Sequence, residues 1–255
     1  NPCIDRTLFV SSFQVGETNR VSNTRHVYAG KGFNVSKGIA NLGHQTTATG
    51  FLYSEDSEKA IREITGNQNE NIHFDCIICP GSLRVNIKIF DQQTRKVTEL
   101  NEPGVETSKN YVDQIIKKVT ELSKQSKFLI LSGSIPPGCS NDVYCQIIHS
   151  VRKSGSKCSI LLDVNGKPLL SVFNSSQELG MPDIIKPNKD EFETLTNKKL
   201  NSIEEIKNEA LKMIKKFNIK IICVSLGGDG AFITNGDISL FAPPVENIVV
   251  KGTVS

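Results

Sequence analysis

The 255-residue sequence contains no tryptophan and only four tyrosines, so it offers no aromatic surface on which nucleic-acid bases could stack. It also lacks a strong excess of either charge: 30 Lys and Arg stand against 27 Asp and Glu, a formal net charge of +3. The densest basic stretch, 212–220, is interleaved with Met213, Ile214, Phe217 and Ile219. That is the pattern of an amphipathic helix with a solvated lysine face, not of a track for phosphates, and no nucleic-acid partner is expected. No run approaches the roughly 20 apolar residues that cross a bilayer, and residues 1–6 carry no signal-peptide pattern, so no membrane partner is expected either. The seven cysteines are odd in number and scattered, which argues against a disulfide framework and for a reducing, cytoplasmic location. The one close pair, Cys76-x-x-Cys79, lacks the second pair that a zinc site needs. It falls in the apolar run 74–79, which reads as a strand with buried cysteines.

What is present favours an α/β protein. The length suits one large domain or two small ones, and 38% hydrophobic residues against 22% charged is enough to build a core. From about residue 126, short apolar runs at 128–131, 158–163, 183–186 and 220–225 alternate with helical patterns near 142–152, 189–196 and 202–216. Continuous apolar strands alternating with helices predict a mostly parallel sheet covered on both faces. The first hundred residues differ. Segment 83–89 alternates strictly for seven residues, as a strand with one wet face does. A second polar, β-like piece covers 7–28, interrupted at 16–19. Together they predict a small antiparallel sheet attached to the main domain, its polar face (Arg84, Asn86, Lys88) turned toward something anionic. There is no internal repeat and no low-complexity linker.

In an open parallel sheet, ligands bind beyond the carboxyl ends of the strands. Here those ends deliver Gly133-Ser134, Asp163, Lys186-Pro187-Asn188, and the run from Ser225 through Gly227 to Gly230. A further glycine-rich entry, Ala29-Gly30-Lys31-Gly32-Phe33-Asn34, opens a helix that runs to about Leu42, with Gly43 as its cap. Glycines let backbone N–H groups approach a ligand, and a helix N-terminus favours an anion or a sugar oxygen. The spacing is neither that of a Walker A loop nor of the dinucleotide fingerprint, which speaks against a nicotinamide oxidoreductase.

Five motifs in order resemble the ribokinase/phosphofructokinase-B family of sugar kinases. They are Asn1-Pro2-x-Ile4-Asp5 followed by Asn19-Arg20-Val21, the segment 29–50, the strand and turn at 131–138, Ile185-Lys186-Pro187-Asn188-x-x-Glu191, and Ser225-Leu226-Gly227-x-Asp229-Gly230-Ala231. Arg84-x-Asn86-x-Lys88 together with 98–104 is most similar to the 1-phosphofructokinase branch, with tagatose-6-phosphate kinases as close neighbours.

The resemblance implies a ribokinase-like three-layer α/β/α domain over 1–255, truncated at both ends, with a β lid formed by roughly 6–28 and 83–101. It implies phosphorylation of a sugar phosphate by ATP with Mg²⁺, fructose 1-phosphate being the expected acceptor and tagatose 6-phosphate the alternative. On the substrate side it assigns Asp5, Gly30, Gly32 and Asn34 to the sugar and Lys31, Arg84 and Lys88 to its phosphate, with Asn86 and Ser134 completing the shell. On the nucleotide side it assigns Lys186, Asn188, Ser225, Gly227 and Gly230 to ATP, and Glu191 to Mg²⁺ through water. The family's catalytic Asp, in a Gly-Ala-Gly-Asp motif, is expected a few residues beyond Ser255, because 249–255 resembles its lead-in. The C-terminal part is thus expected to be missing, and this stretch alone to be inactive. A non-catalytic sugar-phosphate binder of the same fold is the reading from a different class, and a homodimer through the lid is a further expectation.

Overall fold

The computed structural model describes residues 1–65, 70–175 and 180–244. The lead-in at 249–255 lies outside them. The described chain divides into two compact units, one built on 1–111 with 136–139 and the other on 112–135 with 140–244.

The first unit opens with β1 (Cys3–Val10) and β2 (Val21–Ala29), followed by α1 (Lys31–Asn41), β3 (Thr46–Ala48), β4 (Phe51–Tyr53), α2 (Ser57–Thr65), β5 (Ile72–Phe74), β6 (Ile77–Cys79), β7 (Arg84–Asp91) and β8 (Val97–Asn101). Its main sheet has the order β2-β1-β7-β8. The lid was expected to be antiparallel; the sheet is mixed, because β1 and β7 run parallel in register from Cys3↔Arg84 to Val10↔Asp91. A parallel pair needs a long crossover, and the 73 residues between them supply one: β2, then α1, α2 and four short strands, paired β3 with β5 and β4 with β6. The short strands and α2 form the unit's core, where Leu52, Tyr53, Ala60 and Ile64 are almost wholly buried and Phe33 of α1 meets Phe74 at a ring separation of 5.7 Å. Cys79 is a buried strand cysteine as expected, whereas Cys76 lies between β5 and β6 with its Sγ 3.6 Å from the Ala48 carbonyl. All seven cysteines are free.

The alternation in β7 is real, but its polar face is not wet. Register partners in a sheet point to the same side, so Cys3 and Asp5 share a face with Arg84, Asn86 and Lys88. On that face Cys3 and Asn86 are buried. The opposite face carries Ile4, Leu8, Val85, Ile87, Ile89 and, across from Ile87, Leu100. None of these six is fully buried, and Leu100 is 55% exposed.

The second unit holds most of α3 (Lys109–Ser123) and then β9 (Phe128–Ser132), α4 (Val143–Lys153), β10 (Ser159–Asp163), α5 (Gly166–Asn174), β11 (Ile184–Ile185), α6 (Lys189–Thr196), α7 (Ile203–Phe217), β12 (Ile221–Ser225), β13 (Ala231–Thr234) and β14 (Ser239–Ala242). The six-stranded sheet has the order β14-β13-β12-β11-β10-β9, parallel from β9 to β12 and antiparallel beyond.

Helix α7 shows why the sequence folds this way. Ser202 caps it by accepting from the Glu205 N–H, Glu204 and Glu205 sit in the first turn, Lys215 and Lys216 in the last, and Asn218 ends it in a left-handed conformation. Each charge opposes the helix dipole. Ile206, Ala210 and Met213 form the buried stripe. None of the described helices is long and apolar enough to cross a membrane.

Candidate active site

The residues expected on the sugar side, Ser134 excepted, fall in the first unit. Asp5 sits mid-strand on β1, directly beside Asn86 of β7. Its Oδ2 lies 2.9 Å from Lys88 Nζ, and its Oδ1 accepts from Asn86 Nδ2 at 3.3 Å and from the Cys3 thiol at 3.4 Å. The expectation that Lys88 faces outward toward an anion therefore needs correcting: its ammonium rests on Asp5, with Glu99 4.0 Å away, and its side chain is 13% exposed. The amide of Asn86 is oriented by that carboxylate, which only a donor can face. Its Oδ1 is consequently left buried without a hydrogen-bond partner, an acceptor suited to a substrate hydroxyl.

Arg84 occupies the next position on the same face. Its Nη1 donates to the Glu102 carbonyl at 2.8 Å and its Nη2 to the Asn1 carbonyl at 3.3 Å, which fixes the plane of the guanidinium. Ala29, the last residue of β2, pairs with Cys3, so the glycine-rich turn emerges from the same sheet. Gly30 has φ 153°, and a Cβ there would come within 3.2 Å of the Pro2 backbone; only glycine lets these two segments pass so closely. Lys31, Gly32 and Asn34 make up the first turn of α1, where the Asn34 N–H bonds to the Gly30 carbonyl at 2.9 Å.

Ser134, exposed, lies in the second unit just after β9. The turn before it is held by the Tyr144 hydroxyl, which donates to the Gly133 carbonyl at 2.9 Å, and by the Gly133 N–H on the Asp163 carbonyl at 3.2 Å.

The residues expected on the nucleotide side lie at the carboxyl ends of β11 and β12, where an open parallel sheet binds ligands. The Ser225 N–H bonds to the Pro187 carbonyl at 3.0 Å and Asn188 bridges Ser225, which locks the ends of β11 and β12 together. Asn188 and Glu191 form a reciprocal capping box: Asn188 Oδ1 accepts from the Glu191 N–H and Glu191 Oε2 from the Asn188 N–H, both at 2.8 Å. Lys186 Nζ lies 3.3 Å from Oδ2 of Asp163, a buried carboxylate at the end of β10. Asp163 stood out in the sequence as a strand-end residue, but nothing there indicated that it anchors Lys186. Gly227 opens a short 3₁₀ turn that Gly230 closes with φ 101°; a Cβ at Gly230 would collide with the Ala242 carbonyl oxygen.

Among the described residues no group of three or more His, Cys, Asp or Glu could hold a metal by itself. Mg²⁺ needs no such group when it travels on nucleotide phosphates and takes one or two carboxylates. Glu191 fits that role, since its Oε1 makes no hydrogen bond or ion pair among the described residues.

A mostly parallel α/β sheet with an anion-suited turn at its carboxyl edge, together with a small sheet bearing a carboxylate and a guanidinium on one face, defines the ribokinase-like class of carbohydrate kinases. The match to the model of the pfkB family carbohydrate kinases covers residues 1–254, and the chain belongs to that family. It is 30% identical over 245 residues to a 1-phosphofructokinase of Rhodobacter capsulatus, covering 96% of this chain and 74% of that protein. It is 31% identical over 256 residues to a tagatose-6-phosphate kinase of Staphylococcus epidermidis, covering 100% and 78%. Among solved structures, phosphofructokinase-2 from Escherichia coli in complex with substrates and products superposes with a TM-score of 0.88 over 99% of this chain and 79% of that one. At 22% identity that likeness speaks to the fold.

Proposed function

We propose that the protein transfers the terminal phosphoryl group of ATP to a sugar that already carries a phosphate, with fructose 1-phosphate as acceptor and fructose 1,6-bisphosphate as product, by direct in-line transfer. The observation that carries this reading is the pairing, on one face of the small sheet, of the Asp5 carboxylate with the fixed Arg84 guanidinium. A carboxylate accepts from sugar hydroxyls, and a planar guanidinium binds phosphate in bidentate fashion. Gly30, Gly32, Asn34 and Asn86 hold the sugar, Lys31 adds charge at its phosphate, and Ser134 completes the contacts. On the other unit, Lys186, Asn188, Ser225 and the backbone N–H groups of the Gly227–Gly230 turn receive the triphosphate. Mg²⁺, when bound, neutralises charge on the phosphates, and Glu191 meets it through water.

The identity to 1-phosphofructokinases supports the choice of sugar, while the similar identity to tagatose-6-phosphate kinases makes tagatose 6-phosphate the second reading. The sheet face formed by Ile4, Leu8, Ile87, Ile89 and Leu100 supports pairing with a second copy of the chain. The acceptor is tested by ADP release from the full-length protein offered MgATP with fructose 1-phosphate, tagatose 6-phosphate, fructose 6-phosphate or fructose. A preference for fructose 1-phosphate is expected. Turnover of tagatose 6-phosphate alone would replace the sugar, equal turnover of free fructose would remove the phosphate requirement, and none with any of the four would favour the non-catalytic binder.

A further inference from the structure

We propose that Lys88 is not a ligand of the substrate's phosphate but, with Cys3 and Asn86, a positioning residue that fixes the Asp5 carboxylate for the sugar hydroxyls. The inference rests on the reading of Asp5 as the contact to those hydroxyls.

The geometry of the ammonium carries the argument. Lys88 Nζ is 2.9 Å from Asp5 Oδ2, and the two side chains are only 13% and 16% exposed. A lysine that receives a phosphate must bring an uncompensated charge to meet it. This one is shared between Asp5 and, at 4.0 Å, Glu99. Drawing it away to a phosphate would strand a largely buried carboxylate, which is the costly way to break such a pair. Arg84, one position along the same face, has its guanidinium held by the Glu102 and Asn1 carbonyl oxygens.

The second carboxylate oxygen is held by two neutral donors. Asn86 Nδ2 reaches Oδ1 at 3.3 Å and the Cys3 sulfur at 3.2 Å, and the thiol donates to Oδ1 at 3.4 Å. Burial comes first and the charge of Asp5 second in pushing the Cys3 thiol up to about 12, so it remains a donor and does not become a competing anion. All four groups stand on adjacent strands in fixed register, Cys3 beside Arg84 and Asp5 beside Asn86. Their positions are therefore set by the backbone ladder. A carboxylate offers about four acceptor sites, and the three donors here leave room for one hydroxyl in a defined direction. A carboxylate free to rotate would give no such direction, and orientation of this kind contributes directly to rate.

The test is a double-mutant cycle on the full-length protein with fructose 1-phosphate and saturating MgATP. Asp5→Asn is expected to lower kcat/KM about 100-fold and Lys88→Met about 30-fold, while the double variant falls less than about threefold below Asp5→Asn alone. Losses that multiply while Asp5→Asn is itself impaired would overturn the role of Lys88 and leave the sugar contact standing. An Asp5→Asn variant with undiminished kcat/KM would overturn the sugar contact itself. Lys88→Arg, which keeps a cationic donor, should recover most of the activity that Lys88→Met loses; no recovery counts against the proposal. Cys3→Ala should raise KM about fivefold at unchanged kcat, and Cys3→Ser, which restores a donor, should keep KM within about twofold. Equal KM values for the two would remove Cys3 from the set. Thermal unfolding midpoints check that each variant folds; if Lys88→Met does not, Lys88→Gln and the Cys3 pair carry the comparison.

Discussion

Replacing Arg84 with alanine separates phosphate binding from every other role assigned to the small sheet. Its two donor nitrogens at 2.8 and 3.3 Å from the Glu102 and Asn1 carbonyls fix the guanidinium plane, so no new ordering is needed when a phosphate arrives. Two charge-assisted hydrogen bonds could sum to about 6 kcal/mol, but a half-buried site replaces water as it binds, so the lower end, about 3 kcal/mol, is the appropriate figure. That corresponds to about a 100-fold rise in KM for fructose 1-phosphate. The KM for ATP should stay within about twofold, because Arg84 is assigned to the sugar's phosphate and to no part of the nucleotide. Loss of the two carbonyl contacts should cost about 1 kcal/mol of stability, read as a drop of about 3 °C in the melting midpoint. Arg84→Lys should fall between the wild type and alanine, since an ammonium keeps the charge and loses the fork. Initial rates over both substrates, with a melt for each variant, decide the matter. A KM for fructose 1-phosphate unchanged in Arg84→Ala, or one that rises in step with the KM for ATP, would refute the assignment.

Asp183 lies at the opposite end of the parallel strands from the nucleotide residues, and its carboxylate accepts from Arg152, Lys220 and the Ile160 N–H at 2.6 to 2.8 Å. Burial pushes this carboxyl up, but those donors outweigh it and the net shift is downward. Its stabilisation is therefore complete above the unfolded value of about 3.9 and lost as pH falls through the lower folded value. Asp183→Asn should cost about 3 kcal/mol at pH 7 and leave both KM values unchanged. Melts between pH 7 and 2 should show the gap to wild type closing below about pH 4, and a gap constant down to pH 2 would exclude the ion pairs as its source. Leu100→Lys places a charge on the edge strand of that sheet face, across from Ile87, and should convert a dimer to monomer in sedimentation equilibrium; an unchanged mass would exclude that face as the interface.

The larger unit was legible because its signals are local. Ser202, the first-turn glutamates, the last-turn lysines and the stripe Ile206, Ala210, Met213 each mark α7 within a few residues of where it lies. The strands β9, β10 and β12 are continuous apolar runs that only a covered parallel sheet accommodates. The residues at their carboxyl ends followed from topology alone. The smaller unit was less legible because its key pairing is not local. Residues 3 and 84 are neighbours, yet nothing in either segment specifies a parallel partner across the intervening chain. The short strands of that crossover, three residues each, are too brief to show a period.

Lys88 shows where a residue-type argument stops. Strict alternation over 83–89 establishes that the segment has two faces, and a face bearing Arg, Asn and Lys looks wet when the strand is read by itself. Whether it is wet depends on what the neighbouring strand contributes, and β1 contributes a thiol and a carboxylate. The polar face is half-buried because its charges satisfy one another: Lys88 on Asp5, Asn86 on Asp5 and Cys3. Buried polar groups require partners, so a cation that becomes buried reports first on the nearest carboxylate in its own fold and only then on a ligand. By the same reasoning Lys186, whose side chain is 42% exposed beside a buried Asp163, keeps enough freedom to turn toward a triphosphate. The two lysines, equivalent as sequence symbols, are separated by the solvent that one retains and the other has lost.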